Sequence, residues 1–284
     1  MNVLSLFDGM SCGQIALERA EIAVDKYYAS EIKPHAIELV KRRYPNTIQL
    51  GDIRGISELP GWIDLLIGGS PCKGISGLNQ KREGLKHKES ILFWEYVRLL
   101  RLAQQQNPDV KFLLENVRGN KESINIISSV LGVRPIKLNS GLVSAQNRPR
   151  LYWTNIPVHS IPSDRKITTE MVFTREMIDE LICNESRVKW LTSEGGLRSV
   201  KRSYSRINPY PKAGCIIASG HDKWNCNYIF KNGKYKVLSI RELEALQTLP
   251  LGYCDDLKYG QAYNLIGDGW TIDIIAHIFK YLKQ

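Results

Sequence analysis

"NVLSLFDGMSCGQIALERA", residues 2–20, is the stretch that decides the fold. A short apolar run, Asn2 to Phe7, breaks at Asp8 and Gly9, and an amphipathic run, Cys12 to Ala20, follows at once. A strand-like run passing through a glycine turn into a helix-period run is the first half of a β-α unit. The glycine lets the backbone approach a ligand closely, and the start of the helix favours an anionic group such as a carboxylate. The turn lacks the full G-x-G-x-x-G spacing, which disfavours a dinucleotide.

The same alternation continues along the chain. "KYYASEI" (26–32) precedes "HAIELVKRR" (35–43), then "NTIQLGDI" (46–53) and "WIDLLIGG" (62–69). Further on stand "ESILFWEYVRLLRLAQQ" (89–105), "KFLLENV" (111–117), "ESINIISSVL" (122–131) and "RLYWTNI" (150–156). Strands and helices taking turns predict an α/β fold, a doubly wound parallel sheet with helices on both faces. From 155 to 237 the pattern loses its regularity and gains Pro, Ser, Asn, Lys and Trp, the composition of a separate small domain. Helical periodicity returns at "SIRELEALQTL" (239–249) and "TIDIIAHIFKYL" (271–282). The expected organisation is therefore a sheet domain over 1–154, a small domain over 155–237, and a segment over 238–284 packing back on the first.

Composition narrows the partners. The chain has 284 residues and a net charge of +10, which attracts polyanions. Between residues 155 and 237 stand 14 Lys and Arg against 8 Asp and Glu. "RVKWLTSEGGLRSVKRSYSR", Arg187 to Arg206, holds six basic residues and one acidic one, interleaved with Trp190 and Tyr204. Such a stretch suits phosphate contact, and Arg187, Lys189, Arg198, Lys201, Arg202, Arg206, Lys212 and Lys223 are the candidates. The six cysteines show no C-x-x-C spacing, so neither a metal site nor a disulfide framework is expected. The N-terminal apolar run is too short for a signal peptide, and no segment has the length of a membrane span, so the expectation is an intracellular protein without membrane contact.

Chemistry gathers at the strand ends. Glu31 follows the second strand and can accept from ribose hydroxyls; Asp52 follows the third and can take an adenine amino group. "LLIGGSPCKGIS" (65–76) delivers Cys72 behind Ser70 and Pro71, and "KFLLENV" delivers Glu115, a carboxylate costly to bury without a partner. In "QNRPRLYW", Gln146, Arg148 and Arg150 alternate, and on a strand that puts all three on one face, either as a polar sheet edge or as donors around a carbonyl or phosphate oxygen.

The ordered set "FDGMSCG", "SE", "GDI", "GSPC", "ENV" and "QNRPR", with "LSIRELEALQTLP" and "LIGDGWTIDIIAHIF" at the C-terminal end, resembles the DNA cytosine-5 methyltransferase family. In wording, Phe7-Asp8-Gly9 and the Gly-x-x-Trp of Gly267 to Trp270 are most similar to the animal de novo branch, here without regulatory domains. The resemblance implies a Rossmann-like S-adenosyl-L-methionine-dependent methyltransferase sheet with a small inserted target-recognition domain. It implies a cofactor pocket of Phe7, Asp8, Gly9, Met10, Cys12, Glu31, Ile32, Asp52, Ile53, Ser70, Pro71, Asp268, Gly269 and Trp270, with S-adenosyl-L-homocysteine as product.

By the same resemblance Cys72 is the nucleophile, Glu115 shares a proton with ring nitrogen 3, and Arg150 binds the ring carbonyl, with Arg148 also in the catalytic set. A base inside a stacked duplex is out of reach, so it must be flipped out, and the 74–84 loop would close over it. Lys73 and Ser76 would face DNA. Two positions depart from the family: Lys73 stands where Gln or Asn is common, and Asp268 where Asn is common. Lys73 would meet a phosphate or, less simply, an extra negative group on donor or base. The expected partner is double-stranded DNA and the expected state a monomer, in the cytoplasm of a bacterial cell or a virus-infected bacterial host. The competing readings are a transfer RNA cytosine methyltransferase with the same catalytic set, a non-catalytic DNA-binding relative and, remotely, a nicotinamide dehydrogenase.

Overall fold

The computed structural model describes residues 1–71, 92–201, 205–208 and 210–283. Two compact units divide the chain: residues 1–138, 149–161 and 275–284 form the first, and residues 139–148 and 162–274 the second.

The first unit is the α/β sheet. In chain order it runs β1 (Asn2–Leu6), α1 (Cys12–Arg19), β2 (Lys26–Ser30), α2 (Pro34–Arg43), β3 (Ile48–Gln49), β4 (Leu65–Gly68), α3 (Leu92–Gln106), β5 (Lys111–Val117), α4 (Lys121–Leu131), β6 (Ile136–Asn139) and β7 (Pro149–Thr154). Among the described residues seven strands align in the order β3-β2-β1-β4-β5-β7-β6. The β3, β2, β1, β4 and β5 ladder is parallel. All four residues of β4 are buried, as in a strand covered on both faces. On α3, Phe93, Tyr96, Leu99, Leu100 and Ala103 are buried, a spacing that makes one helical face. Gly13 lets α1 lie close on the sheet, because a Cβ there would stand 2.4 Å from the Ile67 Cδ1.

The sheet differs from the expected wholly parallel one at its far side. β7 runs antiparallel to β5, with Glu115 opposite Tyr152 and Val117 opposite Arg150. The strand also begins only at Pro149, so Arg150 lies on it while Gln146 and Arg148 precede it, in the second unit. The three side chains do not share a strand face.

The second unit holds α5 (Thr169–Val172), α6 (Glu185–Thr192), α7 (Glu194–Lys201), β8 (Arg206–Asn208), β9 (Asn227–Lys231), β10 (Lys234–Val237), α8 (Ile240–Leu246) and α9 (Tyr259–Asp268), while α10 (Ile272–Phe279) runs from it into the first unit. β9 and β10 form a hairpin whose turn residues Asn232 and Gly233 both have positive φ, the backbone that favours Asn-Gly. Most of the 238–284 segment, expected to pack on the sheet, falls in this second unit; only 275–284 counts with the first. The cause lies in buried hydrogen bonds: the Ser144 hydroxyl and the Gln146 amide both donate to the Leu246 carbonyl, and Gln146 accepts from the Ile216 amide. Among the described residues, no helix is long and apolar enough to cross a membrane, and no cluster of metal-ligating side chains occurs.

Candidate active site

The turn after β1 is built on left-handed backbone: Phe7, Gly9 and Ser11 have φ of 58°, 59° and 61°. The Gly9 amide donates to Glu31 Oε2 at 2.7 Å, and the Ile32 and Lys33 amides donate to Glu31 Oε1 at 2.7 and 2.8 Å. A carboxylate offers about four acceptor positions, so roughly one remains for a ribose hydroxyl rather than two. Neither Gly9 nor Gly51, the latter at φ 72°, would bring a Cβ within 4 Å of another atom, so the backbone there faces open space. Ile32 stands beside it 66% exposed, an apolar surface suited to an adenine ring. Open glycine backbone, an acceptor and an apolar platform fit a nucleoside.

The remaining cofactor candidates distribute unevenly. The Asp8 carboxylate points inward, accepting from the Tyr27 hydroxyl at 2.8 Å and the Ser11 hydroxyl at 2.7 Å, and burial pushes it up to about 6. Asp52 caps a short turn by accepting from the Arg54 amide and pairs with the Arg54 guanidinium, which holds its carboxyl down at about 2. An adenine amino group there would have to share that carboxylate with Arg54. Met10, Cys12 and Ile53 are buried in the core. Asp268, Gly269 and Trp270 lie in the second unit.

On the antiparallel side of the sheet, Glu115 on β5 and Arg150 on β7 point to one face, as diagonal neighbours of an antiparallel pair do. Arg150 Nε lies 3.0 Å from Glu115 Oε1, with both side chains nearly buried. This answers the cost of burying Glu115: it is ion-paired with Arg150. Next to Glu115, the Asn116 side-chain amide donates to both the carbonyl and the hydroxyl of Ser70 at 3.1 Å. The chain just before Pro71 and Cys72 is thereby fixed to β5. Sequence reasoning assigned no role to Asn116; its place beside Glu115 on a buried strand was the available signal. Cys72, Lys73, Ser76 and the 74–84 loop lie outside the described residues.

Arg148 does different work from Arg150. It is 3% exposed, and its guanidinium donates to the carbonyls of Ile216, Gly267 and Gly269. Its role within the second unit is to hold the 216 segment and the end of α9 together.

Residues 1–128 match the sequence model of the family described as C-5 cytosine-specific DNA methylase. Over these residues the chain is similar to a C-5 cytosine methylase domain. DNA (cytosine-5)-methyltransferase DRM2 of Arabidopsis thaliana is 35% identical over 119 residues, which cover 37% of this chain and 19% of that protein. Type II methyltransferase M.NgoBV of Neisseria gonorrhoeae is 34% identical over 122 residues, covering 41% of this chain and 27% of its own. The match thus spans about a fifth to a quarter of these curated relatives. In fold, the chain is similar to DNMT2 of Spodoptera frugiperda, with a TM-score of 0.73 at 15% identity over 100% of this chain and 99% of that one. It is equally similar to the Entamoeba histolytica methyltransferase EhMeth, with a TM-score of 0.72 at 15% identity over 99% and 97%.

Of the basic candidates in the second unit, several are already engaged. Arg187 donates to the His221 carbonyl at 3.0 Å and lies 5.5 Å from the Trp224 ring centroid. Lys212 donates to the carbonyls of Gly141, Ser144 and Ile167, and Arg206 to the carbonyl of Lys212. Lys189, Arg198, Lys201 and Lys223 are exposed, Arg198 pairing with Glu194 one helical turn away. Arg202 lies outside the described residues.

Proposed function

We propose that this protein transfers a methyl group from S-adenosyl-L-methionine to carbon 5 of a flipped-out cytosine in double-stranded DNA, through a covalent Cys72 adduct at carbon 6. The observation that carries the reading is the near-buried Glu115–Arg150 pair, 3.0 Å apart across β5 and β7, beside Asn116 of β5, which clamps Ser70 two residues before Cys72. A silent DNA-binding relative has no physical need for a buried ion pair at that place.

The Cys72 thiolate attacks carbon 6, forming the sulfur–carbon bond and moving the ring's π pair toward carbon 5. Glu115 places a proton at ring nitrogen 3, and Arg150 orients Glu115 and meets the negative charge building on the ring oxygen. When bound, S-adenosyl-L-methionine would supply an electrophilic methyl group, with the neutral thioether S-adenosyl-L-homocysteine as the leaving group. Carbon 5 bonds to that methyl group, Glu115 takes back the nitrogen 3 proton, and loss of the carbon 5 proton to water restores the ring double bond and expels the thiolate. The turn after β1, with Glu31, Ile32 and the neighbourhood of Asp52, holds the nucleoside part of the cofactor; Phe7, Ser70 and Pro71 complete the proposed set. Lys189, Arg198, Lys201 and Lys223 supply phosphate contacts. The setting is the cytoplasm of a bacterial cell or infected host.

Bisulfite sequencing of plasmid DNA from cells expressing the wild-type chain and Cys72→Ala tests this. Protection of cytosine at one short motif, lost in the variant, is the expected result. Unprotected plasmid with cytosine methylation of transfer RNA would replace DNA with RNA as substrate, and neither would leave a binding protein.

A further inference from the structure

We propose that Tyr27 is a positioning residue for the cofactor turn: its hydroxyl, acting through the buried carboxylate of Asp8, holds residues 7–11 in the left-handed shape the cofactor meets. The inference rests on the cofactor reading above and adds to it a residue that no motif contains.

A turn with three positive-φ residues in five, one of them a phenylalanine, persists only where its surroundings over-determine it. The surroundings form a chain of hydrogen bonds. Tyr27 Oη donates to Asp8 Oδ1 at 2.8 Å, Ser11 Oγ to Asp8 Oδ2 at 2.7 Å, and Gln14 Nε2 to Ser11 Oγ at 2.9 Å and Thr47 Oγ1 at 2.8 Å. The Asp8 amide adds a bond to the Ser30 carbonyl at 3.1 Å, and the Ser11 amide one to the Asp8 carbonyl at 3.0 Å. The brace therefore runs from β2 beneath the turn and on through α1 to the residue before β3. Because the carboxylate faces these donors rather than open space, Asp8 acts from below, and its contribution passes through Tyr27 and Ser11.

The plainer role for Tyr27 is core packing, since its ring is buried on β2. A phenylalanine would fill that room equally well. What packing leaves unexplained is a phenolic hydroxyl spent on a buried carboxylate beside Gly13, where an added Cβ would sit 2.6 Å from that same oxygen. The polar groups facing Asp8 are Ser5 from β1, Ser11 from the turn, Tyr27 from β2 and, as a like charge, Glu31 at the end of β2.

The test is calorimetric binding of S-adenosyl-L-homocysteine to the full chain, comparing wild type, Tyr27→Phe and Ser11→Ala. Both variants should bind about tenfold or more weakly with Tm within a few degrees of wild type. KM for the methyl donor should rise by a similar factor while kcat at saturation holds. The pH at which wild-type affinity falls, near that of Asp8, should move upward in Tyr27→Phe, which has lost a donor to the ionised carboxylate. Unchanged Kd in Tyr27→Phe, or a fall in kcat with Kd intact, would overturn the proposal. If Tyr27→Phe fails to fold, Ser11→Ala decides by the same Kd comparison. Wild type that binds no S-adenosyl-L-homocysteine would instead remove the cofactor reading itself, an outcome visible before any variant is made.

Discussion

Asp8 is a carboxylate held where a carboxylate is expensive, and the expense has a measurable pH signature. Burial raises it from 3.8 to about 6, against the hydrogen bonds from Ser5, Ser11 and Tyr27 that lower it. Below the unfolded value the group is protonated in both states and costs nothing; above about 6 it is ionised in both, and the fold bears the full penalty, on the order of 3 kcal/mol. Stability contributed through Asp8 therefore falls as pH climbs between those limits. Asp8→Asn lacks this dependence, so in urea titrations its stability relative to wild type should improve by about that amount between pH 4 and pH 7.5. A gap that stays constant with pH would show the carboxylate to be solvated. Asp52 has the opposite sign, held low at about 2 by an exposed Arg54, and its stabilisation vanishes only in strong acid. Glu115 calls for a different measurement. Glu115→Gln keeps the shape and removes the carboxyl group that the proposed mechanism uses at ring nitrogen 3, so kcat should drop by roughly 10²–10⁴ with S-adenosyl-L-homocysteine affinity unchanged. Tritiated methyl transfer and calorimetry separate the two quantities.

Helix α9 shows how an element is set by one small residue. At Gly267 an added Cβ would lie 2.5 Å from the Ala218 amide nitrogen and 2.8 Å from the Ile217 carbonyl carbon, all backbone that cannot swing aside. Gly267→Ala should therefore cost about 1–3 kcal/mol and lower Tm by several degrees in a thermal melt, with no gain from better helix propensity. A Tm equal to wild type would mean that α9 and the 217–218 segment part easily. The sequence announced Gly267 only as part of a motif; the close approach that demands glycine involves residues some fifty positions away. The same limit applies across the sheet. β1, β2, β4, β5 and α3 were legible because apolar runs and helical spacing are local signals. The antiparallel direction of β7 was not, since alternation in "RLYWTNI" is the same whichever way the strand runs. β6, "IKLN", and α9, with two glycines, carry too little pattern to stand out. At the candidate site, motif spacing singled out Glu31, Asp52, Glu115 and Arg150 as candidates. It could not reveal that Arg54 engages Asp52, that Asn116 clamps Ser70, or that Arg148 turns to three carbonyls in its own unit.

The net charge of +10 belongs to the whole molecule, and counting it overstates how much of it is free to meet DNA. Lys212 spends its ammonium on three backbone carbonyls, and Arg187 is committed to the His221 carbonyl and the Trp224 ring, so both support the second unit's structure. Lys189, Lys201 and Lys223 are exposed, and Arg198 shares only a surface pair with Glu194, the kind worth little in water. Each cation that neutralises a phosphate steepens the fall of affinity with salt by roughly 0.9 in a log–log plot. Replacing Lys189, Arg198, Lys201 and Lys223 by Gln together should then flatten the slope by up to about 3 to 4, with Tm unchanged. Lys212→Gln should do the reverse, leaving the slope nearly intact while orphaning buried carbonyls and lowering Tm. Fluorescence anisotropy of a labelled duplex across a sodium chloride series, run beside thermal melts, reads both quantities. A slope that survives the fourfold change would move the DNA-binding face off α6, α7 and the 221–224 turn, because the charge must then be supplied by other exposed cations of the chain.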